Sequence, residues 1–179
     1  MKLIIVSILM VLLAVGASAK TDEISVGPYN VSFDLNTTME YSVSSDWDNA
    51  NTTAFLKILF TNNTQAAIAV INETVWKCSD LSPDIKYLKL ALNYDKALGN
   101  LTSGSLFEKT IDGKPAIVVV GNYDINGTVF DSAIAKYWLD SIEIENYNIS
   151  VAMTKVEIIA RVPMNITESL LDTIQVSMI

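Results

Sequence analysis

Thr110–Tyr123 reads TIDGKPAIVVVGNY, and its punctuation decides the fold class. Leu106–Ile111 leads into the turn Asp112-Gly113-Lys114-Pro115, and Ala116–Tyr123 leads out, so the stretch predicts strand, turn, strand. Within it Ala116–Val120 (AIVVV) is apolar on both faces, which places it centrally in a sheet. Downstream, Asp124-Ile125-Asn126-Gly127 carries Asn-Gly, a pair that tolerates positive φ, and predicts a hairpin turn into a strand over Thr128–Leu139. Ser150–Val162 predicts a long last strand whose apolar phase shifts: Val151 and Met153 stand in one register, Val156, Ile158, Ala160 and Val162 in the other. That shift predicts a bulge near Thr154–Lys155.

Upstream, after a short polar lead, Asn30–Leu35 alternates with Val31, Phe33 and Leu35 on one face, and Tyr41–Ser45 alternates in the same way. Ser45–Thr53 (SSDWDNANT) predicts a polar loop. Ala54–Phe60 and Ala66–Asn72 predict a hairpin around Thr61-Asn62-Asn63-Thr64. Ser82-Pro83-Asp84 then supplies an N-cap, a proline at the first helical position and an early acid, and Tyr87, Leu88, Ala91, Tyr94 and Leu98 repeat at helical spacing. These predict an amphipathic helix over about Pro83–Leu98, ended by Gly99-Asn100 and laid against a sheet. Pro163 stops the last strand. Asn165 with Glu168 resembles a capping box ahead of Leu170, Leu171 and Ile174, which predicts a short closing helix.

Strands grouped in runs, with a helix between the runs and one at the end, imply α+β: a mostly antiparallel sheet flanked by helices. Three stretches resemble the PsbP-like fold: Tyr29–Leu35 as opening strand, Thr110–Tyr123 followed by Tyr137-Trp138-Leu139-Asp140, and Ser169–Val176 (SLLDTIQV) as closing helix. They are similar to secreted proteins of methanogenic archaea. The resemblance implies an α/β/α sandwich and an accessory or binding role. It carries over no catalytic or metal residue.

Residues 1–19 have the layout of a cleavable signal peptide: Lys2, an apolar run from Leu3 to Gly16, and Ala17-Ser18-Ala19 before Lys20. The run is shorter than the roughly 20 apolar residues that span a bilayer, so a membrane connection through this chain is confined to an uncleaved anchor. Residues 20–179 read as one exported domain, with no linker or internal repeat. The expected address is extracellular or cell-envelope, reached by the Sec route. Cleavage removes one cation and no acid, leaving 11 Lys plus Arg against 20 Asp plus Glu, a net charge of −9. That balance argues against nucleic acid and anionic lipid as partners. An envelope protein or a glycan is the expected partner class.

Nine Asn-x-Ser/Thr acceptor sites follow the signal, at Asn30, Asn36, Asn51, Asn62, Asn72, Asn100, Asn126, Asn148 and Asn165. With 14 Asn and 30 Ser plus Thr in 179 residues, random order would give about two such sites under the N-glycosylation rule. The excess predicts a glycoprotein. Asn51, Asn62, Asn100, Asn126 and Asn148 fall in predicted loops or turns, and Asn30, Asn36, Asn72 and Asn165 at element ends.

There is no histidine, which removes Ser-His-Asp and Cys-His catalysis and His-ligated zinc. Cys78 is the only cysteine, so no disulfide forms within the chain; it reads as a small apolar residue beside Trp76, with an intermolecular disulfide or a reactive thiol as the alternative. Asp46, Asp48, Asn49 and Asn51 place oxygen ligands suited to Ca²⁺, but Ala50 stands where a ligand is wanted and the glycine of an EF-hand loop is missing. A carboxylate hydrolase would rest on the close acid sets Glu143/Glu145 or Asp46/Asp48. A small-ligand carrier would hold its pocket between the Pro83–Leu98 helix and the sheet. Among the aromatics Trp47, Trp76, Trp138, Tyr123 and Tyr137, Trp47 is expected to be exposed between two acids. No cofactor is expected, and binding or structural association without catalysis is the reading the sequence favours.

Overall fold

The computed structural model describes residues 21–76, 101–125, 127–139 and 150–179, and within them it holds ten strands and one helix. Strands β1 (Thr21–Val26) and β2 (Tyr29–Asp34) form a hairpin whose two-residue turn is Gly27-Pro28. Gly27 has φ +57°, and a Cβ there would stand 2.4 Å from Cε3 of Trp47, so both conformation and space require glycine. β10 (Gln175–Met178) pairs antiparallel with β2 on its other side and completes a three-stranded sheet.

The second sheet has seven strands. β3 (Tyr41–Asp48), β4 (Thr53–Phe60) and β5 (Gln65–Trp76) form one meander. β6 (Leu101–Ile111), β7 (Lys114–Ile125), β8 (Thr128–Trp138) and β9 (Ser150–Arg161) form a second. They join where β5 pairs β9, giving the order β3-β4-β5-β9-β8-β7-β6 with every neighbouring pair antiparallel. The β6–β7 turn is Asp112-Gly113, with φ +53° and +68°, the left-handed pair a tight hairpin demands.

The core lies between the sheets. From the small sheet come Val31 and Phe33. From the large one come Leu56, Ile58, Ile68, Val118, Tyr137 and Ile158, all almost fully buried. On β4 the alternation is strict: Ala54, Leu56, Ile58 and Phe60 face inward, while Phe55, Lys57 and Leu59 face out. The outer face of the small sheet is polar, with Glu23, Ser25, Asn30, Ser32, Gln175 and Ser177 opposite or diagonal to one another.

Helix α1 (Met164–Thr173) closes the core with Ile166, Leu170 and Leu171 and continues what β10 begins. Beyond Ser32, where pairing with β10 ends, β2 still has backbone groups to satisfy. Thr173 Oγ1 accepts the Asp34 N–H at 2.9 Å, and Ser169 Oγ accepts the Asn36 N–H at 2.9 Å and donates to the Asp34 carbonyl at 3.0 Å.

Several sequence expectations need correcting. The architecture is β-rich, two antiparallel sheets face to face, not an α+β sheet flanked by helices, and so not the α/β/α sandwich that the PsbP-like resemblance implied. The predicted polar lead is strand β1, and the helix expected to run over Ser169–Val176 ends at Thr173, with Gln175 and Val176 in β10; each of these strands has too few apolar residues to show a period alone. The Ser45–Thr53 loop is strand as far as Asp48, because Trp47 packs inward. Ala116–Val120 lies one strand from the sheet edge, and β9 takes the centre. No bulge interrupts β9: its register with β5 runs unshifted from Gln65↔Arg161 to Trp76↔Ser150, and the buried hydroxyl of Thr154 occupies the core-side position. The closing helix is present but starts at Met164 behind Pro163, with no side-chain cap, so Asn165 sits inside its first turn and forms no capping box. The predicted Pro83–Leu98 helix lies outside the described residues. Among the described residues no helix is long and apolar enough to cross a membrane.

Candidate functional site

Six of the nine sequons fall on described residues, and the fold sorts them. Asn51 and Asn62 occupy the exposed turns at opposite ends of β4. Asn36 is exposed in the connection after β2. Asn72 lies in β5 in phase with the core residues Ala66, Ile68 and Val70, but is itself exposed. Asn165 is exposed on α1, and half-buried Asn30 is on the outer face of the small sheet. Each of these is therefore either in an end turn or on the small-sheet side of the large sheet. Asn100, Asn126 and Asn148 lie outside the described residues.

The opposite side differs in chemistry. The outer face of β4 exposes Phe55 (42%) and Leu59 (39%) around the exposed Lys57. Ala67, Ala69 and Ile71 of β5, and Ile159 of β9, extend this apolar strip in half-exposed positions, bordered on β3 by Ser42, Ser44 and Asp46. Toward β8 and β7 the same face becomes buried, with Ile117, Val119 and Lys136 almost covered. Lys136 bonds Glu157 at 2.9 Å across the β8–β9 pair. No described sequon stands on this face. Its signal is in the sequence as Ala54–Phe60 (AFLKILF), which is apolar in both phases where a strand with one wet face alternates, a feature that period alone does not pick out.

The acid-rich loop serves itself. Asp48 Oδ1 accepts the N–H groups of Ala50 at 2.9 Å and Asn51 at 3.2 Å, and Oδ2 accepts Asn51 Nδ2 at 2.6 Å. The Asn51 side chain, helped by these backbone N–H groups, holds the Asp48 carboxyl below its usual range. Both Asp48 oxygens thus accept bonds within the turn, and Asp46 is exposed on the outer side of β3. Among the described residues no three His, Cys, Asp or Glu converge on a metal. Trp47, expected to be exposed, is half-buried: its ring meets Tyr29 edge-on, centroids 6.3 Å apart at 64°. Tyr137 is in the core and Trp138 half-buried. Cys78, Glu143, Glu145 and the helix-and-sheet carrier pocket fall outside the described residues, and the side chains of Trp76 and Tyr123 are not described.

An open cleft of about 580 Å³ lies where the edge strands β1 and β3 approach, floored by Leu35, Met39 and Val43 and rimmed by Asp22, Glu40 and Tyr41. The Tyr41 hydroxyl donates to the Asp22 carboxylate. Burial, then that bond and the charge of Asp22, push the Tyr41 pKa above its ordinary value, so it stays a neutral donor.

Comparisons with protein-family models, curated proteins and solved structures give no match.

Proposed function

We propose that this chain is an exported, N-glycosylated protein of the cell surface or envelope that acts by binding or structural association, with the outer face of β3, β4 and β5 as its contact surface. The observation that carries the proposal is the segregation just described: the described sequons lie on the small-sheet side or in end turns, while Phe55 and Leu59 stand exposed on a face where no described sequon stands. Glycans at those sites would cover one side of the sandwich and leave this strip bare. Large exposed apolar side chains grouped on one face are the usual mark of an interaction surface. Lys57 between them suits a partner that pairs apolar contact with a carboxylate, which an envelope protein supplies.

The test has two readouts on protein isolated from its native host. Intact mass above that of the polypeptide, and an N-terminus at Lys20, support glycosylation and export; the bare polypeptide mass overturns the glycoprotein reading. Proximity cross-linking then reads the surface. Phe55→Ser with Leu59→Ser should abolish partner capture while leaving melting temperature and glycan mass unchanged, and capture that survives the double substitution overturns the assignment of this face.

A further inference from the structure

We infer that folding selects among the sequons: the folded chain presents Asn62 for N-glycosylation, and folding closes Asn165 and Asn30 to it. This rests on the glycoprotein reading above and adds an order of events. In the transfer, the Asn Nδ2 bonds to the anomeric carbon of a lipid-linked oligosaccharide as the bond from that carbon to the phosphate oxygen breaks. The lipid phosphate leaves with the electron pair, and one Nδ2 proton passes to a base of the transferring enzyme. The acceptor must therefore expose the carboxamide and the hydroxyl two residues on, close to each other.

Asn62 meets that requirement in the folded state. It stands in the exposed β4–β5 turn, where Asn63 has φ +65°. Its Oδ1 accepts the Thr64 N–H at 3.0 Å and the Thr64 hydroxyl at 2.6 Å. That leaves Nδ2 directed away, and a hydroxyl donating to the carboxamide oxygen makes the departing Nδ2 proton more acidic.

Asn165 fails at its second half. The asparagine is exposed, but Thr167 is 1% exposed, beneath the first turn of α1, with its hydroxyl directed at the Val162 carbonyl at 3.4 Å. No enzyme reaches that hydroxyl while the turn is wound. Asn30 fails at both. It lies in β2, paired with Ser25 on one side and Ser177 on the other. Its Nδ2 donates to Glu23 Oε1 at 2.6 Å, and its Oδ1 accepts from Ser25 Oγ at 3.3 Å. The extended strand also holds Asn30 and Ser32 about 7 Å apart. A glycan on Asn165 or Asn30 is then the record of a transfer made before the sandwich closed.

The mature chain, made bare in a host without N-glycosylation and folded, is incubated with membranes carrying an N-glycosylating transferase and its lipid-linked donor. Site occupancy is followed by glycopeptide mass spectrometry. Each site's initial rate is divided by that of a short peptide bearing the same sequon, which removes intrinsic sequon preference. The expected ratio is near one for Asn62 and at least about tenfold lower for Asn165 and Asn30, because those sites react only through local opening. Thr64→Val should abolish transfer at Asn62, and Thr64→Ser should restore it. Equal ratios at the three sites, or a ratio at Asn62 as low as the others, overturn the inference. If none of the peptides accepts a glycan, the sequons are not acceptors and the glycoprotein reading falls with it.

Discussion

Asp112 Oδ2 accepts the backbone N–H of Val176 at 3.1 Å, so the turn between β6 and β7 is tied to the closing strand of the other sheet. The same oxygen faces the hydroxyl of buried Tyr137 at 3.4 Å. One carboxylate thus joins the two sheets at a place where the large sheet turns and the small sheet ends. Asp112→Gly keeps the left-handed turn and removes only the carboxylate, leaving the Val176 N–H unanswered. The expected cost is about 1–3 kcal/mol, read as a fall in denaturant midpoint, with faster amide exchange at Val176 than in the native chain. A midpoint unchanged by Asp112→Gly would show the tie to be without weight.

Tyr137 itself predicts a pH response. Burial, and then the negative charge of Asp112, raise its pKa above the ordinary tyrosine value. The folded state therefore keeps a proton that the unfolded state gives up above pH ~10. With fewer protons bound to the unfolded chain, stability falls as pH rises through that range and is fully present below it. The limiting slope is about 1.4 kcal/mol per pH unit for one such group. Chemical unfolding between pH 8 and 11 should show this alkaline loss, and Tyr137→Phe should reduce its slope.

Gly27→Ala tests the packing of the β1–β2 turn against β3. Alanine meets a φ of +57° and the Trp47 ring at 2.4 Å, a conformational and an overpacking penalty together worth roughly 2–4 kcal/mol. Trp47 should move outward, with a red shift of its emission. Pairing Gly27→Ala with Trp47→Leu should recover part of the loss, since only the contact and not the backbone strain is relieved.

Strand positions were legible wherever the period was long enough to see. The inward set of β4 and the alternation of β2 follow directly from their sequences, and Asp112-Gly113 marked its hairpin by residue type alone. What the sequence did not show was the partnership of distant short segments. β1 and β10 have only Ile24 and Val26, and Val176 and Met178, to mark an inner face, and each is a strand because β2 lies beside it. Likewise the phase shift in β9 suggests a bulge because Val151 and Met153 are apolar, whereas the ladder with β5 continues unbroken and puts polar Thr154 inside. For the candidate site, the sequons were visible one by one. The segregation of the described ones from Phe55 and Leu59 is a property of two sheets facing each other, and no local pattern encodes it.

The Lys136–Glu157 pair on the outer face should be costly to halve and cheap to replace. Lys136 is 5% exposed and its ammonium lies 2.9 Å from Glu157 Oε2, in a register that sets the two residues directly opposite each other on β8 and β9. Glu157→Gln takes away the carboxylate charge 2.9 Å from the covered ammonium while keeping the side chain's shape, an expected loss of about 1–3 kcal/mol. Replacing both, as Lys136→Met with Glu157→Leu, removes two desolvated charges and restores apolar packing beside Ile117 and Ala69, which are their neighbours in the ladder. That double variant should unfold within about 1 kcal/mol of the native chain. Equilibrium denaturation of the three proteins decides it: if the double variant is as unstable as Glu157→Gln, the pair is needed for the sheet itself and not merely as two charges that answer one another.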